Sequence, residues 1–139
     1  TMMASGIKMP SQVKAYIEDC GYTSVRDEFL HEAKDIYHLP GPVGPFFVNG
    51  LSVIAKANLG FYLGDASAVN SVEKNNKPML FIHGGKDPFV PTKMVYANYK
   101  AAKGPKQLWI AKKAKHARSF ETYPREYQRR VSEFLKKYV

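Results

Sequence analysis

Residues 78–91, PMLFIHGGKDPFVP, join a continuous apolar run to a polar loop rich in turn-forming residues. The run 79–82 does not alternate with polar residues, which is typical of a strand buried on both faces of a parallel sheet. Pro91 suits the first turn of a helix, where its missing N–H group costs nothing. Helical spacing continues behind it at Met94, Val95, Tyr99 and Ala102. The stretch therefore predicts a strand, a loop that holds Asp87, and a helix.

Two further units of the same kind are visible. Residues 13–19 alternate and end at Gly21, which predicts a strand, and a helix follows from a capping signal at Ser24 to the residue before Pro40. Residues 107–111 predict a third strand. The closing helix has an inner apolar stripe that consists of Tyr127, Val131, Phe134, Leu135 and Tyr138. Strands that alternate with helices predict an α/β fold, with a three-stranded parallel sheet and flanking helices.

The chain has 139 residues, of which 45% are hydrophobic. This length suits one domain with one core, so we expect residues 1–139 to form a single domain. Residues 40–66 contain several prolines and glycines around an apolar middle, which favours a short helical excursion that covers a site, like a lid. The apolar stretches are far shorter than the ~20 residues of a membrane-spanning helix.

Positive charge is concentrated in the carboxyl-terminal part. Residues 1–85 carry 7 basic and 8 acidic side chains, whereas residues 86–139 carry 14 basic and 4 acidic ones. Such a segment could attract nucleic acid, anionic lipid or an acidic substrate. A basic α/β binding module for nucleic acid or an anionic surface is therefore the alternative function. Nucleic acid is the weaker partner, because no recognition-helix pattern, zinc spacing or aromatic platform accompanies the charge.

Asp87 and His116 are the candidate catalytic residues. The carboxyl ends of parallel strands lie at one edge of a sheet, so the loops that hold these residues are neighbours if their strands are adjacent. An acid that accepts a hydrogen bond from an imidazole fixes its tautomer and stabilises the imidazolium, as the general base of a nucleophile requires. Without a nucleophile, the pair alone also fits structural caps or solvent-facing groups.

The segments FIHGGKDPFVP and AKHARSF closely resemble the last two strand–loop units of the α/β-hydrolase family, and VKAYIEDCGYTSV resembles the strand and helix before its lid. The resemblance covers nearly the whole chain. It implies a serine hydrolase that is esterase-like or peptidase-like, with Asp87 as the triad acid and His116 as the base. It also implies that Phe46, Phe47, Phe61 and Tyr62 belong to a lid or acyl pocket, although they suit an ordinary core equally well.

One departure from the family pattern decides what we expect of this chain. The nucleophile motif G-x-S-x-G does not occur in the 139 residues, and Ser5, Ser24, Ser119 and Cys20 lack its flanking glycines. We therefore expect the carboxyl-terminal part of a serine hydrolase, inactive alone. A small-molecule or peptide acyl substrate would bind only the intact protein.

The remaining expectations concern partners, cofactors, metal binding and localisation. A missing amino-terminal part, or self-association, would cover the exposed edge of the first strand. We expect no cofactor and no metal, because His31, His38 and His83 show no ligand spacing. A membrane partner is left open. Localisation is equally open between the cytoplasm and tethering at the cell surface by an upstream segment.

Overall fold

The computed structural model describes all residues from Thr1 to Val139. Three strands, β1 (Tyr16–Asp19), β2 (Met79–Gly84) and β3 (Lys106–Ala111), form one sheet in the order β1-β2-β3. Both strand pairs are parallel. The predicted fold class is therefore confirmed: this is an α/β fold with a three-stranded parallel sheet and flanking helices.

Seven α-helices surround the sheet. They are α1 (Met2–Ser5), α2 (Val25–His31), α3 (Val43–Leu59), α4 (Ala68–Lys74), α5 (Thr92–Ala101), α6 (Ser119–Thr122) and α7 (Pro124–Tyr138). A π-helical turn, Glu32–Ile36, continues α2. No helix has the length and apolar character needed to cross a membrane.

β2 lies at the centre of the core, and each of its residues is buried. Met79 and Phe81 face one side, where they pack with Val72 of α4 and Val95 of α5. Leu80 and Ile82 face the other side and pack with residues of β3 and with Phe134 of α7. Burial on both faces explains why this strand has a continuous apolar sequence.

A separate small core lies under α3. Its buried members are Ala33, Val48, Ala55 and Leu63. α3 itself is a 17-residue helix, so the segment 40–66 is helical as expected, but its helix is long. Whether this segment acts as a lid stays a prediction.

Several details differ from the sequence predictions: for example, β3 begins at Lys106, and the helical segment after Ser24 ends at Ile36. β1 begins at Tyr16 because its pairing with β2 begins at the pair Tyr16–Met79, and the amide of Val13 closes a turn with Pro10 instead. α5 begins at Thr92, directly after Pro91. Leu135 is 40% exposed and does not belong to the inner stripe of α7. Helix α4 was missing from the predictions, because only two of its seven residues, Ala68 and Val72, are buried.

Candidate functional site

Two glycines at the end of β2 let the neighbouring loop approach closely. A Cβ on Gly84 would lie 2.5 Å from the carbonyl oxygen of Lys115, and one on Gly85 would lie 2.8 Å from that of Lys112. No side chain fits at such distances, so the paired glycines allow direct backbone packing. The amide of Lys86 then donates to the carbonyl of Ala114 at 2.9 Å. The loop after β2 is thereby joined to the loop after β3.

Asp87 is held in one orientation by its own loop. Its Oδ1 accepts hydrogen bonds from the amides of Phe89, at 2.9 Å, and Val90, at 3.0 Å. Its Oδ2 lies 2.8 Å from Nδ1 of His116, and the Asp87 side chain is fully buried. Hydrogen bonds from backbone amides fix the carboxylate before any substrate is present.

His116 combines a fixed ring with access to solvent. Nδ1 faces the carboxylate of Asp87, while the side chain remains 38% exposed. Phe89 meets the imidazole edge-on, with 5.7 Å between the ring centroids. No group of the chain hydrogen-bonds Nε2 of His116. The nitrogen that a general base uses is therefore available.

His83 supports the Asp87 loop from within the core. The residue is completely buried, and its Nε2 lies 2.9 Å from the carbonyl oxygen of Val90 and 3.5 Å from Oδ2 of Asp87. Its Nδ1 has no hydrogen-bond partner. A strand-end histidine that donates to the loop carbonyl stabilises the turn that presents Asp87.

Cys20 joins the ends of all three strands. It follows β1 with φ 61°, in the left-handed region that non-glycine residues seldom occupy. Its Sγ accepts hydrogen bonds from the amides of Gly84, at 3.4 Å, and Ala117, at 3.3 Å, and its thiol lies 3.2 Å from Oδ1 of Asp19. Burial raises the pKa of this thiol to about 12. Sequence analysis did not foresee this bracing role, since an isolated cysteine carries no signal of it.

Glu28 is a further carboxyl group near the pair of Asp87 and His116. Its Oε2 is buried without a hydrogen-bond partner. Burial raises the pKa of Glu28, and its electrostatic neighbours include His31, Asp87 and His116. Sequence reasoning missed Glu28, because this residue is far from Asp87 along the chain.

None of the candidate nucleophiles is hydrogen-bonded to His116. Ser5 donates to the carbonyl of Met2, and Ser24 caps α2 by accepting from the amide of Asp27. Ser119 is buried and donates to Oδ1 of Asp19 at 3.1 Å. The arrangement can therefore orient a base, without a nucleophile hydrogen-bonded to it.

The predicted pocket residues lie on and after α3. Phe46 is 82% exposed, and Phe61 and Tyr62 follow the helix in a partly exposed turn. Phe47 helps to line an apolar cavity of about 370 Å³ that also involves Phe29 and Leu51. The ring that contacts His116 is Phe89 instead, which sequence reasoning did not select. A substrate-binding role for the four aromatic residues stays a prediction.

Three side chains of types that commonly bind metal ions lie close together. The ligand atoms of Cys20, His83 and Asp87 lie within 4.8 Å of one another. Each residue already has internal partners, however: the Cys20 sulfur bonds two amides, His83 bonds a carbonyl, and Asp87 bonds His116. We therefore assign these residues to the hydrogen-bond network that holds the site.

Comparisons with known proteins agree with this architecture. No family model matches the chain. The protein YqkD of Bacillus subtilis (strain 168) is 30% identical over 124 residues, which are 86% of this chain and 38% of YqkD. The esterase Pf2001 of Pyrococcus furiosus is 21% identical with a TM-score of 0.66, and the match covers 99% of this chain and 49% of the esterase.

Two other solved structures extend the likeness. The acetyl xylan esterase of Paenibacillus sp. R4 is 15% identical, with a TM-score of 0.64 over 99% of this chain and 41% of that enzyme. The acylaminoacyl peptidase of Pyrococcus horikoshii is 17% identical, with a TM-score of 0.60 over 92% of this chain and 20% of the peptidase. The chain thus spans half or less of the length of these proteins. Its fold corresponds to the carboxyl-terminal part of the α/β-hydrolase fold, as predicted.

Proposed function

We propose that this chain is the part of a serine hydrolase of α/β-hydrolase type that carries the triad acid and histidine. The whole protein would hydrolyse ester or amide bonds, in the manner of an esterase or peptidase. The single observation that carries the proposal is the contact of 2.8 Å between Nδ1 of a solvent-accessible His116 and a fully buried Asp87.

The chemistry follows from that contact. A serine hydroxyl outside these 139 residues attacks an acyl carbonyl, and Nε2 of His116 takes its proton. Asp87 keeps Nδ1 protonated and stabilises the imidazolium that forms. His116 then returns the proton to the leaving alcohol or amine. Water repeats the two transfers on the acyl-enzyme, which releases the acid and restores the serine.

The segment 40–66 offers exposed aromatic side chains for an acyl group. Phe46, Phe47, Phe61 and Tyr62 expose 40% or more of their surface, and apolar and aromatic side chains are the usual lining of a small-molecule site. We assign this segment the role of a lid and acyl pocket. Its aromatic residues would be covered by substrate or by the remainder of the protein.

The edge of β1 is the place where the nucleophile-bearing part would join. β1 is hydrogen-bonded only to β2, and an open strand edge pairs readily with another strand. Beside this edge, Glu18 is buried and has an unpartnered Oε1. We propose that a strand of the nucleophile-bearing part occupies this edge, and that the isolated chain associates with itself there instead. Light scattering after size-exclusion chromatography tests the self-association of the isolated chain, and a monomer at micromolar concentration would contradict it.

Fluorophosphonate labelling read by intact mass tests the catalytic proposal. The 139-residue chain is compared with a longer polypeptide in which a G-x-S-x-G segment precedes it. We expect an adduct only on the longer polypeptide, and His116→Ala should abolish it. An adduct on the short chain would reveal a nucleophile within it, and the labelled peptide would identify the residue. No adduct on either protein would contradict the hydrolase proposal.

A further inference from the structure

A groove of about 720 Å³ opens beside His116. The loop after β2 contributes Phe89 to one wall, and the segment from the end of β3 to α6 forms the other. His116 lies in this lining with its 38% exposed side chain. The groove therefore reaches the base of the proposed reaction directly.

The lining is cationic. Lys113, Lys115 and Arg118 contribute three positive charges, and the one acidic lining residue is Glu121. Glu121 forms an ion pair with Arg118. Lys113 and Lys115 take part in no salt bridge and no side-chain hydrogen bond, and both are exposed. Two uncompensated ammonium groups thus share the groove with His116.

We propose that this groove binds an anionic group of the substrate, either a carboxylate or a phosphate. The substrate class is then an acyl ester or amide with a negative charge near the bond that is cleaved. This inference rests on the proposed function and adds the substrate class to it. Charge complementarity supports it: Lys113 and Lys115 have no acidic partner in the chain, and a bound anion offsets the repulsion between their two ammonium groups.

The two unpaired lysines distinguish the groove from the other basic parts of the segment 86–139. Most of the other basic residues of the segment 86–139 lie on helices or are paired: Arg129 and Arg130, for example, contact acidic residues of the same helix. Lys136 and Lys137 are exposed at the end of α7, outside the groove lining. This second lysine pair offers a control with the same change in net charge.

The first test measures binding to the chain itself. Carbon-13 correlation spectra of the histidine rings are recorded at low salt and fixed pH, while succinate, inorganic phosphate or neutral succinamide is added. We expect saturable shifts of the His116 resonance with one or both anions and none with succinamide. The double variant Lys113→Glu/Lys115→Glu should lose them, whereas Lys136→Glu/Lys137→Glu should keep them. Succinate and phosphate in separate titrations show which anion the groove prefers.

Three results would overturn the inference. Equal shifts with succinamide would show that charge is not recognised. Equal loss of binding in the two double variants would show that only net charge matters. Tight binding of a short DNA duplex that displaces succinate and depends on Lys113 and Lys115 would assign the groove to nucleic acid.

A kinetic test separates this inference from the hydrolase proposal. The longer polypeptide is assayed with neutral p-nitrophenyl acetate and with the anionic mono-p-nitrophenyl ester of succinic acid. Two exposed charge contacts correspond to a roughly tenfold effect, so Lys113→Glu/Lys115→Glu should lower the ratio of kcat/KM for the anionic over the neutral ester about tenfold. An unchanged ratio refutes the groove while the hydrolase proposal stands. Turnover of neither ester, with the anion shifts intact, refutes the hydrolase proposal and leaves the groove as an anion site.

Discussion

The strand β2 and the helix α3 are both rich in apolar residues, but they lie in opposite environments. All six residues of β2 are buried. Of the 17 residues of α3, only Gly44, Val48, Ser52 and Ala55 are buried, and several large apolar side chains of the helix face solvent. β2 is covered by the protein's own helices and holds the Asp87 loop in place, whereas α3 presents its apolar surface outward. The difference teaches that the buried strand and the helix with an exposed apolar surface belong to separate regions of the molecule.

The largest expected effect concerns the acid at the end of β2. In the longer polypeptide, Asp87→Asn should lower kcat about 10⁴-fold, because the amide no longer keeps Nδ1 of His116 protonated. Steady-state hydrolysis of p-nitrophenyl acetate measures the effect, and circular dichroism checks the fold. A loss of less than tenfold would mean that the contact between Asp87 and His116 is structural.

A second effect concerns the close packing at the strand ends. Gly84→Ala should destabilise the fold by about 3 kcal/mol, since the new Cβ overlaps the backbone of Lys115. Gly50→Ala in α3 is the matched control: no atom lies within 4 Å of its Cβ position, so a gain of roughly 0.5–1 kcal/mol is expected. Urea unfolding followed by the fluorescence of Trp109 gives both values. Equal effects of the two variants would remove the distinction between the regions.

The thiol of Cys20 should matter by a smaller amount. Cys20→Ala leaves the buried amide of Gly84 and the part-buried amide of Ala117 without their acceptor, which should cost about 1–3 kcal/mol. Native Cys20 should also resist iodoacetamide at pH 7.5, because burial raises its pKa to about 12 and the thiolate is the reactive form. Urea unfolding and intact mass measure these two properties. Rapid alkylation of the folded chain would contradict the bracing role.

The pH dependence of the free energy of unfolding is expected to come from the sheet and not from α3. The sheet contains Glu18, whose pKa burial raises to about 8, while α3 contains no acidic residue. The folded chain therefore binds this proton more tightly than the unfolded chain does, and stability should fall as pH rises from about 4.5 to 8, by at most ~1.4 kcal/mol per pH unit. Glu18→Gln should flatten this decline. An identical decline in the variant would assign it to other groups.

The smallest effect on stability is expected in α3. Phe46→Ala should change the free energy of unfolding by less than about 0.5 kcal/mol, because the side chain is 82% exposed. In the longer polypeptide the same substitution should raise KM for long-chain acyl esters more than for acetate. Val53→Ala, at another exposed site of the helix, is the control. Equal KM values for Phe46→Ala and the control would remove Phe46 from the acyl pocket.

Sequence patterns predicted the central parts of the fold well. β2 could be recognised because burial on both faces requires an unbroken apolar run, and the loops with Asp87 and His116 followed from the strands they end. α4 was missed because a seven-residue helix with two buried residues leaves almost no periodic signal. The Gly84–Gly85 pair indicated a turn, but its contact with Lys112 and Lys115 depends on tertiary structure. The left-handed backbone conformation of Cys20 and the position of Glu28 near Asp87 and His116 also depend on tertiary structure.

The contact between Asp87 and His116 has a consequence for how such a protein can be assembled. Every group that orients the pair, from the strand-end glycines to the amides of Phe89 and Val90, lies within this chain. Under the proposed function, the acid and the base would therefore form a module that is oriented by contacts within this chain. Two separately produced pieces, one with this module and one with the serine, should therefore regain activity on mixing, as a split-enzyme reporter requires.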